Sequence, residues 1–184
     1  MRKSRSVASI LLAIAAVALF VAGPIMIYQG FHGQSQIRNQ LVAQKIVFPA
    51  KGSEGLPANL QSYGGVQVKT GPQAKAYSDM VETHVLAATG GKTYSEVSSA
   101  WIAGGMKDAT LAQQRQTAFM GESLRASLLS AYQAWELSWL VVGLGALFIG
   151  LAVVFGVTGY ALRPIKVTVP ESAEVLEHKE RTNI

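Results

Sequence analysis

Two stretches of this chain contain no Asp, Glu, Lys or Arg: Val7–Tyr28 and Leu137–Leu162. The hydrocarbon core of a bilayer is about 30 Å thick and takes roughly 20 apolar residues of helix to cross. Both stretches are long enough. A helix buried in a soluble core is the competing explanation, but such helices rarely need so long an uncharged run. The depletion of charge is local: charged residues make up 15% of the whole chain, against about 25% in average soluble domains.

Net charge is +5, and its placement argues against nucleic-acid binding. Arg2, Lys3 and Arg5 precede the first stretch, and Arg163 and Lys166 follow the second. Basic residues flanking apolar helices mark the cytoplasmic side, and long loops are exported regardless of their own charge. Both termini are therefore expected in the cytoplasm, with the intervening segment outside. That segment is close to neutral, with nine Lys or Arg against seven Asp or Glu. The chain has no cysteine, which excludes a disulfide framework and any Cys-based zinc or iron–sulfur site.

The first stretch also resembles a signal peptide, with a basic start and an apolar middle. It is longer than the usual 7–15-residue signal core, however. Pro24 follows directly on the tolerable cleavage site Val21-Ala22-Gly23, and Ile25-Met26-Ile27-Tyr28 carries the apolar run onward. An uncleaved anchor is expected. The fold class is then a mainly α membrane protein, with two transmembrane helices flanking a small, mostly helical extracytoplasmic domain that has at most a short β-hairpin. Residues 1–6 form a cytoplasmic start, 7–28 and 137–162 the spans, 29–136 the outer domain, and 163–184 a cytoplasmic tail.

Pro24 sits where a helix would kink or end early. Beyond it, Ile37 and Leu41 stand at helical spacing. Lys45–Phe48 reads as a short strand stopped by Pro49, and Val66 and Val68 alternate as a second. Residues 49–72 are rich in turn formers. Pro72 opens a helix whose buried face is Ala74, Tyr77, Val81, Val85 and Ala88, and Gly90-Gly91 ends it. Thr93 and Glu96 have the spacing of a capping box, starting a short helix that carries Tyr94, Val97 and Trp101 and breaks at Gly104-Gly105. Asp108 caps a last helix that runs uninterrupted from Ala109 into the second span. Tyr132, Trp135 and Trp139 form an aromatic belt at its near interface, and Tyr160 marks the far one. In the tail, Glu171, Glu174, Glu177 and Glu180 alternate with basic residues, a pattern that reads as disordered or weakly helical.

Within the second span, Gly145, Ala152, Gly156 and Gly159 fall on one helical stripe, and Gly143, Ala146 and Gly150 on another. In the first span Ala8, Ala15 and Ala22 repeat every seven residues. Small residues allow helices to approach closely in lipid. One stripe of the second span is expected to receive the alanines of the first, leaving the other for a further chain. Neither span holds an ionisable residue, which argues against a channel or transporter.

Few residues suggest chemistry. His32, His84 and Glu82 are the ligand types of a mononuclear iron site, but Glu82 and His84 are two apart on a helix and point in different directions. His178 lies in the tail. Gly91-Lys92-Thr93 lacks the glycine that a phosphate loop needs five residues earlier, where Leu86 stands, and it follows a helix rather than a strand. No nucleophile elbow is present. No catalytic residue, metal or cofactor is expected.

Thr83–Glu96, with His84, Leu86 and the run Gly90-Gly91-Lys92-Thr93-Tyr94, resembles a segment of two-span membrane proteins found in actinobacteria. Ala118–Leu128, Gly143-Leu144-Gly145 and Tyr160-Ala161-Leu162-Arg163 are also similar to that family, so the likeness covers about half of the chain. Residues 98–108, 49–72 and Gly121-Glu122 depart from it. Members often carry the label "aromatic ring-opening dioxygenase", which the histidines here do not support. The resemblance implies an actinobacterial plasma membrane. By analogy with the small accessory spans of respiratory assemblies there, it also implies a non-catalytic accessory or scaffolding subunit. The expected partners are the lipid bilayer and other membrane subunits, with no nucleic acid and no small-molecule substrate. The alternative is an outer ligand-binding or sensor module, which a concave pocket lined by Tyr63, Tyr77, Tyr94 or Trp101 would mark.

Overall fold

The computed structural model describes the backbone of residues 2–163 and the side chains from residue 5 onward. The side chains of Arg2 and Lys3, and the tail with Lys166 and its glutamates, lie outside the described residues. The chain is mainly helical. Helix α1 (Arg2–Ala43), a short 3-10 helix (Ala58–Tyr63), α2 (Gly71–Ala88), α3 (Tyr94–Ala103) and α4 (Ala109–Ala161) follow one another. At a rise of 1.5 Å per residue, α1 is about 63 Å long and α4 about 80 Å, each far longer than an apolar run alone requires.

Helix α1 does not end at Pro24. The proline lies inside the helix on an exposed position, and the segment with Ile37 and Leu41 continues the same helix to Ala43. No strand forms among the described residues. The two β-like segments meet at one antiparallel bridge, Val47 with Gln67. The Phe48 N–H donates to the Val66 carbonyl at 3.0 Å, and the Val68 N–H to the Ile46 carbonyl at 2.9 Å. The Gly65 N–H donates to the Pro49 carbonyl at 3.0 Å, and the Gly64-Gly65 turn then closes the pairing.

Two compact units are distinguished among the described residues: 2–23 with 147–163, and 24–146. In the second unit a core forms around Phe48, whose ring stacks on Tyr63 and meets Tyr77 edge-on, both with centroids at 5.1 Å. Leu41, Leu56, Leu60, Val68, Met80 and Leu128 complete this core, so that α1, α2 and α4 each contribute to it. Further along, Val97 and Ala118 are fully buried, and Gly121 of α4 packs directly on Val85 of α2. An ion pair joins the same two helices: Arg125 meets Glu82 at 2.8 Å and Glu122, on its own helix, at 2.9 Å.

Side chains fix the helix starts. Thr70 caps α2 in a reciprocal box with Gln73, and Thr93 caps α3 in the same way with Glu96. The Asp108 carboxylate accepts from the N–H groups of Thr110 and Leu111 at 2.8 and 3.0 Å at the head of α4. The Thr93 backbone N–H and then its hydroxyl hold the Glu96 carboxyl below its ordinary range.

Because that pKa is depressed in the folded chain, the contribution of Glu96 is present above the unfolded carboxylate value of about 4.3 and is lost as pH falls through the folded value. The protection of the Thr93 amide, its intrinsic exchange rate over the observed one at the same pH, is expected to fall over that acidic interval, and Glu96→Gln, which keeps the hydrogen bond without a titrating group, should flatten the dependence. Phe48→Ala is expected to cost about 3–5 kcal/mol, measured by chemical unfolding followed by near-ultraviolet circular dichroism.

Candidate functional site

The built feature of this chain is the pairing of α1 with α4. Along α1, Ser9, Ala16, Gly23 and Gly30 stand seven residues apart, and along α4 Ser138, Gly145, Ala152 and Gly159 do the same. All are buried except Ala16, which is half-buried. A seven-residue repeat keeps one face of a helix turned towards a neighbour, and residues this small bring the two backbones close.

In the unit of residues 2–23 and 147–163, the Ser9 hydroxyl donates to the Gly159 carbonyl at 2.7 Å. A Cβ on Gly159 would stand 3.3 Å from Leu12 Cβ and 3.3 Å from the Ser9 carbonyl oxygen, and one on Gly156 would stand 3.9 Å from Ala16 Cβ. In the unit of residues 24–146, a Cβ on Gly30 would lie 2.5 Å from Val142 Cγ2 and 2.8 Å from the Ser138 carbonyl. Only hydrogen fits there. Within each unit the two helices run antiparallel.

The contacting register of α1 is one residue on from the alanine series. Ala8, Ala15 and Ala22 are half-buried at the flank, while Ser9 and Ala16 meet α4. On α4, Gly145, Ala152 and Gly159 are buried and Gly156 faces Ala16. The other stripe is open: Ala146 is exposed, and a Cβ on Gly143 or Gly150 would meet nothing within 4 Å.

Large apolar side chains point away from the pairing. Ala152 is 5% exposed, whereas Val153 beside it is 57% exposed. Ile10, Ile14, Val17, Phe20 and Val21 are all more than half exposed, as are Leu140 and Val157. Only 6% and 11% of the most apolar windows of α1 and α4 are buried, which is not the environment of a soluble core helix. Both helices are long and apolar enough to cross a membrane.

The aromatic anchors divide. Trp139 is exposed and meets Phe31 edge-on at 6.1 Å, and Tyr28 stacks on His32 at 6.0 Å. Tyr160 is exposed, with the Arg163 guanidinium 5.5 Å from its ring. Trp135 instead turns inward: its Cβ and Cγ lie 2.5 Å from where Gly71 would carry a Cβ, so it packs the start of α2 against α4. Tyr132 is half-buried, and Arg5 is exposed near the start of α1.

No group of three or more His, Asp and Glu converges among the described residues. The Gln36 amide N–H donates to His32 Nε2 at 2.9 Å, Glu82 is engaged by Arg125, and His84 is exposed. A groove of about 490 Å³ opens between α1 and α4, floored by Ile37, Leu41, Leu124 and Leu128 and edged by Gln40 and Gln44. Its lining carries no charge. Tyr63 and Tyr77 are spent on the Phe48 core, while Tyr94 lines a smaller notch with Arg115.

Comparison of the chain with protein families, with curated proteins and with solved structures finds no match in any of the three.

The helix pairing gives a directional prediction. Gly30→Ala forces a methyl group onto Val142 and the Ser138 carbonyl and should destabilise by about 1–3 kcal/mol. Gly150→Ala meets open space and should leave stability unchanged. Thermal unfolding of the two variants in the same detergent compares them directly.

Proposed function

We propose that this chain is a non-catalytic accessory or scaffolding subunit of a larger plasma-membrane complex. It is anchored by α1 and α4, with both termini in the cytoplasm and residues 29–136 on the outer side. The arrangement of side chains supports the anchoring: small residues face the partner helix and large apolar ones face outward, the order suited to a lipid solvent, in which packing rather than hydrophobic burial joins helices. Arg2, Lys3 and Arg5 before the first apolar run, and Arg163 after the second, support the orientation.

The observation that carries the subunit reading is the bare stripe of Gly143, Ala146 and Gly150. Glycine and alanine on a lipid-facing surface forgo contact with acyl chains, and they are useful where another helix can come close. Respiratory assemblies are the setting that the resemblance suggests. Native purification in mild detergent, with mass spectrometry of everything that co-elutes, tests this. A stoichiometric membrane partner is expected, lost in Gly143→Leu with Gly150→Leu while the chain itself stays folded. Recovery as a monomer without a partner, from a membrane that holds the intact chain, would count decisively against it.

A second reading, an outer ligand-binding or sensor module, draws on the neutral groove between α1 and α4, whose volume lies in the range of small-molecule sites. A compound that co-purifies in fixed ratio and is displaced by Leu128→Trp would favour it over the subunit reading.

A further inference from the structure

Helix α4 carries two arginines ten residues apart that are treated differently. Arg125 is answered by two carboxylates, Glu82 and Glu122. Arg115 is also half-buried, yet no carboxylate pairs with it among the described residues. Its Nε–H donates to the Ser98 hydroxyl at 3.1 Å. Its guanidinium carbon lies 4.9 Å from the centroid of Trp101 and 5.8 Å from that of Tyr94. These contacts pin α3 to α4 and orient the guanidinium, but they leave its charge without a counter-ion. Taking a cation partly out of water is costly unless an anion faces it.

Three further features belong to Arg115 and the aromatic residues around it. A notch of about 170 Å³ is lined by Arg115, Tyr94, Gln116 and Phe119. It is smaller than the roughly 300 Å³ at which ligand pockets begin, so it suits one functional group rather than a whole ligand. The Trp101 indole Nε1 is buried without a hydrogen-bond partner, although a buried donor usually has one. The Tyr94 hydroxyl is held below its usual range, first by its hydrogen bond with Ser98 and then by Arg115. The surroundings of this tyrosine thus favour negative charge.

We propose that the notch at Arg115 binds a small oxyanion, a carboxylate or phosphate group, through the guanidinium and the Tyr94 hydroxyl. A planar guanidinium offers paired donors that match both groups, and the aromatic rings hold it in place before the anion arrives. The site stands on α3 and α4 outside the apolar runs, and it goes beyond the subunit reading. It holds whether or not that reading does.

The test uses the full chain in detergent micelles, with nitrogen-15 spectra following the Trp101 indole N–H and the Arg115 Nε–H. Sodium acetate or inorganic phosphate replaces sodium chloride at constant ionic strength. Both signals are expected to move and saturate; saturation by acetate alone assigns a carboxylate, and by phosphate alone a phosphate. Arg115→Gln should abolish the response, with the Trp135 and Trp139 indole signals unmoved as a check on folding. Arg115→Lys keeps the charge but loses the paired donors, and should bind roughly tenfold more weakly; it decides the matter if the glutamine variant does not fold. Signals that fail to move, that drift without saturating, or that respond equally in either variant would overturn the proposal.

Discussion

Everything else in this chain depends on how closely α1 and α4 approach. Hydrogen is all that fits on Gly30 beside Val142 and the Ser138 carbonyl, and the Ser9 hydroxyl reaches the Gly159 carbonyl directly. Positions that let backbones meet cannot also carry large apolar groups. Those groups, among them Ile14, Val17, Val153 and Val157, are displaced to the outside. In water that order would expose much of what ought to be buried. In a bilayer it costs nothing, because acyl chains solvate leucine and valine as well as a protein core does.

The two units use the helix pair differently. In the first unit, the described residues 5–23 and 147–163 show little beyond the pair itself. In the unit of residues 24–146 the same helices carry the Phe48 core, the Arg125 ion pair and the Gly71–Trp135 contact. Trp135 illustrates the change of role along α4. Four residues before the exposed Trp139, it fills the space that a glycine at the head of α2 leaves, so one aromatic serves packing and the other an apolar surface.

Much of this was legible in sequence where the signal is local. The Thr93–Glu96 box, the Asp108 cap and the uninterrupted pattern after Ala109 each rest on residues within a turn or two of one another. Thr70 with Gln73 carried the same capping signal as Thr93 with Glu96 and was hidden by Pro72, which marks a helix start by itself. The register of the pairing was one residue off because a series of alanines is conspicuous. Serine, alanine and glycine alternating at Ser9, Ala16, Gly23 and Gly30 are equivalent in size but not in letter. Pro24 suggested a break, yet an exposed proline within a long helix was accommodated. Arg125 with Glu82, and Arg115 with Trp101, join residues far apart in the chain, and no spacing rule reaches them.

The proposed placement puts the apolar runs 7–28 of α1 and 137–162 of α4 in a bilayer and residues 29–136 on its outer side. Since the natural chain has no cysteine, single cysteines can be placed without background at Ile14, Val153 and Lys92 and treated in intact cells with a maleimide that does not cross membranes. Rapid labelling is expected at position 92, and none at 14 or 153 until the membrane is dissolved. Equal labelling at all three before dissolution, or protection of 92 alone, would contradict it.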